Sequence, residues 1–282
     1  MMKKLLSGLI VLVLVTGFAY ANGGTETGSQ SVPQVHTIAV GGSTSVTPLM
    51  ELFQDEYQKK HSNARITISG TGSGDGIKGA GAGTYEIGMS SRELTPAEIG
   101  AGLDALVIAI DGIAIVLNNN NPISELTVDQ IKGIYTGTIT RWEQLGAAAN
   151  GKTGGIAVIS REPGSGTRGA FQELIKFSDG ELVKRAAIFD GTGAIKSAVV
   201  GNVDAIGYIS LGSVDTSIKA LSVNGIAANN VNVKNGTYKI ARPFILVTKR
   251  GVPLNPAAKA FIDWIMSDAG QSIVAKNWIR VK

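Results

Sequence analysis

Apolar residues along this chain recur in two alternating patterns, short continuous runs and helix-spaced stripes. Short runs bounded by glycine and polar residues are typical of buried strands. Such runs predict strands at residues 37–40, 65–69, 85–89, 155–159 and 205–209. A stripe at helical spacing follows the first run and consists of Val46, Leu49, Met50, Phe53 and Tyr57. Strands that alternate with amphipathic helices predict an α/β fold.

Capping residues predict where several helices begin. Thr127 stands directly before an apolar stripe of helical spacing that begins at Val128, and threonine is a favourable N-cap. Asn255 followed by Pro256 predicts the start of a C-terminal helix, because proline suits the first helical position. Further helices are predicted at residues 77–83 and 169–176, with a short helix or turn at residues 140–146.

Two long extended stretches occupy residues 106–117 and 238–248. The first is apolar and β-branched and is broken at Asp111 and Gly112, and the second is interrupted by Pro243. Because both are long for single strands, we expect them to cross between two lobes. The predicted first lobe is discontinuous, with residues 37–112 and 243–282, and the second lobe has residues 113–242.

The N-terminal residues predict a targeting segment. Two lysines precede an apolar run at residues 5–15, and a small-x-small cleavage pattern ends at Ala21. This arrangement is typical of a secretory signal peptide. We therefore expect a cleaved signal peptide at residues 1–21, a flexible lead at residues 22–36 and a periplasmic protein. An uncleaved membrane anchor is the alternative.

Composition narrows the classes of function. The formal net charge is +4, and half of it comes from Lys3 and Lys4 in the predicted signal peptide. That balance is too mild to indicate a nucleic-acid or membrane-surface partner. The chain has no cysteine, which excludes a lipidated cysteine, a disulfide and a thiolate metal site.

Segments rich in serine, threonine and glycine follow several apolar runs, at residues 41–45, 70–76, 90–92 and 160–168. The start of a helix presents free N–H groups and the positive end of the helix dipole, which suits an oxyanion. Arg161 lies in the last segment, and we interpret it as a buried anion ligand rather than a surface residue. We expect one anion held between several helix starts.

Two glycine-rich motifs match nucleotide-binding patterns, and the second, which follows a predicted strand, is the better placed. Residues 146–153 match the phosphate-loop pattern, but that loop requires a strand before it and a helix after it. Residues 74–79 match the dinucleotide fingerprint, which is weak evidence when it stands alone. Because export also argues against both, we expect no nucleotide and no other cofactor.

Signals for catalysis are weak. No histidine follows Ser165, which excludes a Ser-His-Asp hydrolase built on the Gly-Ser-Gly at residues 164–166. His36 and His61 have no convincing metal-binding partner, and no pair of carboxylates stands out. We therefore expect no metal and no enzymatic activity.

The same segments, in the same order, resemble motifs of the PstS-type periplasmic phosphate-binding proteins of phosphate ABC transporters. Residues 41–48, 72–78 and 87–91 resemble three anion loops, and residues 161–167 resemble the loop Arg-x-x-Gly-Ser-Gly-Thr. Later signatures match at residues 135–146 and 205–209. The resemblance implies a two-lobed periplasmic-binding-protein type II fold, each lobe a mixed sheet flanked by helices, with two interdomain crossings.

The resemblance also implies which residues bind phosphate. Arg161 would supply the only cation, and the other positions would supply hydroxyl and backbone N–H donors. The implied set is Ser45, Val46, Ser73, Ser91, Arg161, Ser165, Gly166 and Thr167, with Thr44 a weaker match.

Two positions depart from that family's pattern. The family often has an aspartate where Ser91 stands, and it accepts the proton of phosphate. Serine can also accept, less strongly, and can equally donate, so Asp75 and Glu162 are the candidates for a stronger acceptor. The family also often has an aspartate that holds the arginine, and Pro163 stands there. Glu162 is then the candidate for orienting Arg161. We still expect phosphate to be preferred over sulfate.

The implied function is that of a solute receptor. It would capture inorganic phosphate as a monomer and deliver it to an inner-membrane phosphate ABC permease. A receptor for another oxyanion, such as sulfate, molybdate or tungstate, is the alternative within the same class. A secreted phosphatase is the alternative from another class.

Overall fold

The computed structural model describes residues 36–282, and the predicted signal peptide at residues 1–21 lies outside them. The predicted lead also lies outside them, except that His36 begins the first strand instead of ending the lead. Within residues 36–282, no helix combines the length and the apolar character that crossing a bilayer requires.

Strands and helices alternate along most of the described chain. The strands are β1 (His36–Gly42), β2 (Ala64–Gly70), β3 (Ile87–Ser90), β4 (Leu103–Asn118), β5 (Glu125–Leu126), β6 (Ala157–Arg161), β7 (Ala187–Phe189), β8 (Ala205–Ser210), β9 (Ile218–Ala220), β10 (Ser222–Val223) and β11 (Ala241–Lys249). The α-helices are α1 (Thr47–Gln58), α2 (Ser73–Ala82), α3 (Pro96–Gly100), α4 (Val128–Thr136), α5 (Gly166–Ile175), α6 (Gly191–Val200), α7 (Asn230–Lys234), α8 (Pro256–Ile265) and α9 (Asp268–Asn277).

One mixed sheet runs through the described chain in the order β2-β1-β3-β11-β4-β8-β6-β7. At one end β1 is parallel to β2 and β3, and at the other end β6 is parallel to β7 and β8. The strands between these ends pair antiparallel. The predicted α/β class, with mixed sheets flanked by helices, is confirmed.

Strand β4 changes partners along its length. Residues 103–112 pair with β11, and residues 113–118 pair with β8 and β9. In the first ladder Asp111 lies directly opposite Arg242. The long extended stretch predicted at residues 106–117 is therefore one strand that serves both ends of the sheet.

Two large hydrophobic cores lie along the sheet. The first core draws its fully buried residues from residues 38–109 and 244–278, and the second draws its own from residues 113–240. The second contains a group of packed rings, in which Phe171 stacks on Tyr208 at 4.0 Å between ring centroids. This segregation supports the predicted two-lobed division, which stays a prediction.

The predicted helix starts lie where the capping residues indicated. Thr127 and Gln130 form a capping box at α4, and Asn255 caps α8 through the N–H groups of Ala257 and Ala258. All five residues of the predicted stripe on α1 are buried. The segment predicted as a short helix or turn is a 3-10 helix, Trp142–Ala149, kinked at Gly146, whose φ is +60°.

The dinucleotide-like glycines lie inside α2, where they permit close packing. A Cβ on Gly76 would stand 2.7 Å from the carbonyl oxygens of Gly41 and Met89, and one on Gly79 would stand 2.3 Å from the Tyr85 ring. Such contacts require glycine, so the pattern has a packing explanation. The phosphate-loop match at residues 146–153 spans the end of the 3-10 helix and the following turn.

Candidate functional site

The starts of α1, α2, α5 and α6 meet in one buried cluster. The segment that follows β3 joins them through Ser91. Of the predicted side chains, the cluster contains Ser45, Ser73, Ser91, Arg161, Ser165 and Thr167, each at most 4% exposed. Each helix start follows a strand end or a glycine turn, so the sheet fixes where these helices begin.

Hydroxyl groups from the part of the chain that forms the first core and from the part that forms the second lie within hydrogen-bond distance of one another. Ser45 Oγ stands 2.8 Å from Thr167 Oγ1 and 3.2 Å from Thr192 Oγ1. Thr44 Oγ1 stands 3.3 Å from Thr192 Oγ1 and accepts the Thr192 N–H at the same distance. Thr44 therefore belongs to the cluster, although its match to the family was the weakest.

The start of α5 presents backbone donors. Ser165 Oγ accepts the N–H of Arg168 at 3.2 Å, and the first backbone bond of the helix runs from Gly169 N to Ser165 O at 3.1 Å. The N–H groups of Gly166 and Thr167 precede that bond and are the orphan donors of a helix start. Ser165 thus acts as the N-cap that holds these donors in place.

Two predicted backbone donors already have hydrogen-bond partners within the protein. The Val46 N–H donates to Ser43 O at 3.1 Å, at the start of α1. The Ser91 N–H donates to Ser73 Oγ at 3.1 Å, and the two serine hydroxyls are 3.2 Å apart. Binding of an anion by these groups stays a prediction.

Arg161 is 1% exposed and is held by the residue that follows it. Its Nε and Nη2 donate to the two carboxylate oxygens of Glu162, each at 2.7 Å. Nη2 also donates to Thr44 Oγ1 at 3.0 Å. A two-point pair of this kind fixes the plane of a guanidinium, so Glu162 supplies the support that Pro163 cannot give.

Glu162 is half-buried and ionised at neutral pH. Burial raises its pKa, but the hydrogen bonds and the charge of Arg161 outweigh burial and hold the pKa below its ordinary value. Its carboxylate also accepts the Gly191 N–H at 3.2 Å. Because Arg161 and Gly191 engage it, Glu162 offers less to the proton of an anion than a free carboxylate would.

Asp75, the other acceptor considered, is exposed on α2. It lines a cavity of about 420 Å³ together with Thr44, Glu162 and Asp190. Asp75 therefore stands beside the cluster and not within it.

A second layer fixes the backbone of Arg161. The Arg161 N–H donates to the Tyr208 hydroxyl at 3.2 Å, and that hydroxyl is 2.8 Å from Ser160 Oγ. Arg168 Nη1 donates to the Arg161 carbonyl at 2.7 Å, and Arg168 also pairs with Asp179. These contacts fix both backbone groups of Arg161.

Sequence reasoning missed Arg242 and expected Arg161 to be the only cation. Arg242 is 4% exposed on β11. Its Nη1 donates to Thr167 Oγ1 at 2.7 Å and to Ser91 O at 3.0 Å, while Nη2 donates to Asp111 at 3.2 Å. The signal was available: Asp111 and Arg242 place opposite charges within the two long extended stretches.

Sequence reasoning also missed Thr192. It lies in the second position of α6, after the glycine turn at Gly191, whose φ is +80°. Its hydroxyl contacts Ser45, Thr44 and Arg161 Nη1, the last at 3.5 Å. The signal was the sequence Asp-Gly-Thr-Gly at residues 190–193 directly after an apolar run.

Asp111 is almost fully buried beneath the cluster. Burial raises the pKa of Asp111 from 3.8 to about 6, although Arg242 and Ser210 act in the opposite direction. Ser210 Oγ donates to Asp111 Oδ1 at 2.9 Å. Because the folded pKa lies above the unfolded one, the folded state binds the proton more tightly. The resulting stability is present at low pH and is lost as the pH rises through about 6.

We expect this titration to be measurable. Between pH 7 and pH 5, uptake of a proton by Asp111 should increase the free energy of unfolding by about 1 kcal/mol. The measurement is urea unfolding at both pH values for the wild type and for Asp111→Asn, which cannot take up the proton. The difference between the two pH dependences isolates Asp111. Identical pH dependences in the two proteins would contradict the assignment.

The composition of the cluster suits a small oxyanion. Transfer of an anion out of water is costly unless many donors replace its hydration. Neutral hydroxyls and helix-start N–H groups can do so, and the planar guanidiniums add charge with defined geometry. Within residues 36–282, no cluster of histidine and acidic side chains is suited to hold a metal ion.

Comparison with known proteins identifies a family with this architecture. The sequence model of a PBP superfamily domain matches residues 27–269 of the chain. The chain is also 28% identical over 250 residues to the phosphate-binding protein PstS of Borreliella burgdorferi. That alignment covers 85% of this chain and 88% of the relative.

Two solved structures are similar over their whole length. A Clostridium perfringens structure, described as a phosphate ABC transporter substrate-binding protein with bound phosphate, has 48% identity and a TM-score of 0.84, covering 88% of this chain and 100% of that one. An ABC-type phosphate transport receptor from Vibrio cholerae has 33% identity and a TM-score of 0.71, covering 87% and 100%. The chain therefore belongs to the PBP superfamily and, within it, to the PstS-type phosphate-binding proteins.

Proposed function

We propose that this protein captures inorganic phosphate between two lobes and delivers it to a phosphate ABC permease. The observation that carries the proposal is the buried meeting of helix starts and hydroxyls around Arg161. Ser45 comes from the first core's side and Thr167 from the second, and their hydroxyls are 2.8 Å apart. A similar protein from Clostridium perfringens is described with bound phosphate, which supports this choice of anion.

The chemistry of capture is hydrogen bonding without a covalent step. The hydroxyls of Ser45, Ser73, Ser91 and Thr167 and the N–H groups of Gly166 and Thr167 would replace the hydration of phosphate. Arg161 would add the positive charge, and Glu162 would keep the guanidinium of Arg161 in the binding orientation. Because donors come from the segments of both cores, the bound anion would hold the lobes together and mark the loaded state for a permease.

The same reading makes the protein a receptor and not an enzyme. The cluster consists mainly of hydrogen-bond donors, and its two carboxylates, Glu162 and Asp111, are both paired with arginines. We place the protein outside the cytoplasm because of the leader pattern within residues 1–21, and we propose that it acts as a monomer.

Anion titration tests the proposed function. We expect protein freed of phosphate by unfolding and refolding to bind phosphate more tightly than sulfate, because relatives that are similar over most of their length are described as phosphate-binding proteins. Isothermal calorimetry with phosphate, sulfate, molybdate and tungstate gives the ranking. Tighter binding of any other anion would assign the receptor to that anion.

A parallel assay addresses the alternative of a phosphatase. The same preparation should leave a chromogenic phosphate monoester intact over hours. If the wild type hydrolyses the monoester and Arg161→Ala does not, the protein is a phosphatase and not a receptor.

A further inference from the structure

We propose that Arg242 is a second cationic ligand of the captured anion, and that Asp111 is the counter-ion that holds it in place. The inference rests on the proposed function of the cluster and extends it. It changes the charge of the site from one guanidinium to two. It also assigns one ligand to β11, a strand that contains none of the ligands predicted from the sequence.

A continuous series of short contacts joins the two arginines. Arg242 Nη1 donates to Thr167 Oγ1 at 2.7 Å, and Thr167 Oγ1 is 2.8 Å from Ser45 Oγ. Ser45 Oγ is 3.2 Å from Thr192 Oγ1, to which Arg161 Nη1 donates at 3.5 Å. The predicted ligands Ser45 and Thr167 therefore lie between two guanidiniums. An anion that engages these hydroxyls comes within reach of both.

Arg242 has donor capacity to spare in a place that water does not reach. The side chain is 2% exposed. Its Nε is buried and has no hydrogen-bond partner among residues 36–282. Burying an unpaired polar group costs free energy, so each such group calls for an explanation, and a bound ion is one. The guanidinium also stands over the Phe244 ring, 5.4 Å from its centroid, which limits its freedom to move away.

Asp111 explains how a second buried cation is tolerated. It lies directly opposite Arg242 in the β4–β11 ladder, and its carboxylate pairs with Arg242 at 3.2 Å. Ser210 and the N–H of Gly212 donate to the other carboxylate oxygen, at 2.9 and 3.4 Å. Two carboxylates, Glu162 and Asp111, thus balance two guanidiniums. Without the anion the charges of the site nearly cancel, and the bound anion makes the site negative overall.

The first test removes both charges of the Asp111–Arg242 pair together. The double variant Arg242→Gln/Asp111→Asn leaves no uncompensated buried charge, so its fold should be retained by circular dichroism. We expect its phosphate affinity in calorimetry to fall about tenfold to 100-fold, the loss typical of a hydrogen bond to a charged group. Arg242→Lys serves as a second variant. It keeps the positive charge opposite Asp111 but loses the planar guanidinium, so its phosphate affinity should fall about tenfold.

The second test distinguishes a ligand from a structural ion pair. Asp111→Asn keeps an acceptor for Arg242 but removes the negative charge that competes with the anion for it. If Arg242 binds the anion, phosphate then compensates it, and Asp111→Asn should bind phosphate about tenfold more tightly than the wild type. If the pair is purely structural, the phosphate affinity of Asp111→Asn should equal that of the wild type.

The outcomes separate this inference from the proposed function. If the wild type does not bind phosphate, the proposed function fails. If the wild type binds phosphate and the folded double variant and Arg242→Lys bind it within threefold of the wild type, only the role of Arg242 is overturned. An affinity of Asp111→Asn at or below that of the wild type overturns the role of Asp111.

Discussion

Arg161→Ala should lose phosphate binding by at least about a thousandfold. Truncating one member of a buried, hydrogen-bonded charge pair at a binding site costs more than its own contacts, because the partner charge stays behind. Here the partner is Glu162, whose carboxylate would face the incoming anion without its two bonds to Arg161. The measurement is isothermal calorimetry with phosphate on the refolded variant.

Controls for Arg161 are available within the chain. The side chain of Glu162 is 17% exposed, so it can turn to water and the fold should survive. Adding Glu162→Gln to Arg161→Ala should restore about tenfold of the lost affinity by removing the repulsion. Arg141→Ala removes an arginine that is 57% exposed and paired with Glu143, and it should bind as the wild type does. Normal binding by Arg161→Ala would show that the anion site lies elsewhere.

Gly166→Ala should weaken phosphate binding by about tenfold to 100-fold while leaving the fold intact. A Cβ at Gly166 would stand 2.3 Å from Ser73 Oγ, 2.9 Å from Ser73 Cβ and 2.9 Å from Ser91 Oγ. Rotating one hydroxyl cannot relieve all three contacts, so the start of α5 must move away from Ser73 and Ser91. The N–H donors of Gly166 and Thr167 would then be held too far from the facing serines. Calorimetry with phosphate measures the loss.

Gly169→Ala is the matched control for Gly166→Ala. It changes the same residue type one turn later in α5, and its Cβ would meet only Arg92 Cδ at an ordinary 3.5 Å. Both substitutions add a better helix former to the helix, so Gly169→Ala should not lower the free energy of unfolding in urea. The steric contacts at Gly166 should lower it by about 1 to 3 kcal/mol in Gly166→Ala. Equal phosphate affinities for the two variants would refute the steric explanation.

The fold was largely predictable from the sequence because its elements follow local rules. The stripe from Val46 to Tyr57 buries one face of α1, and Thr127 and Asn255 cap the helices that follow them. The pairing of β4 with β11 on one side and with β8 on the other was not predictable in detail. Strand register depends on contacts between residues far apart in the chain, and apolar runs do not specify it.

The candidate site was predictable where motif and local structure coincide. Ser45, Ser73 and Thr167 lie at helix starts, which the segments rich in serine, threonine and glycine predict. Arg242 and Thr192 come from a strand and a helix that reach the cluster only through tertiary packing. For Arg242, the informative feature was a charge within an apolar stretch that has an opposite charge in its partner, a pairing that becomes visible once the two strands are placed side by side.

The shared strand β4 has a consequence for cooperativity. Its residues 103–112 complete the ladder beside the first core, and residues 113–118 complete the ladder beside the second. Neither core can melt without losing backbone bonds that anchor the other, so thermal denaturation should couple the two halves into one transition. Any rearrangement around an anion must then occur as a twist within an intact β4, whose amides would remain among the slowest in the protein to exchange with solvent.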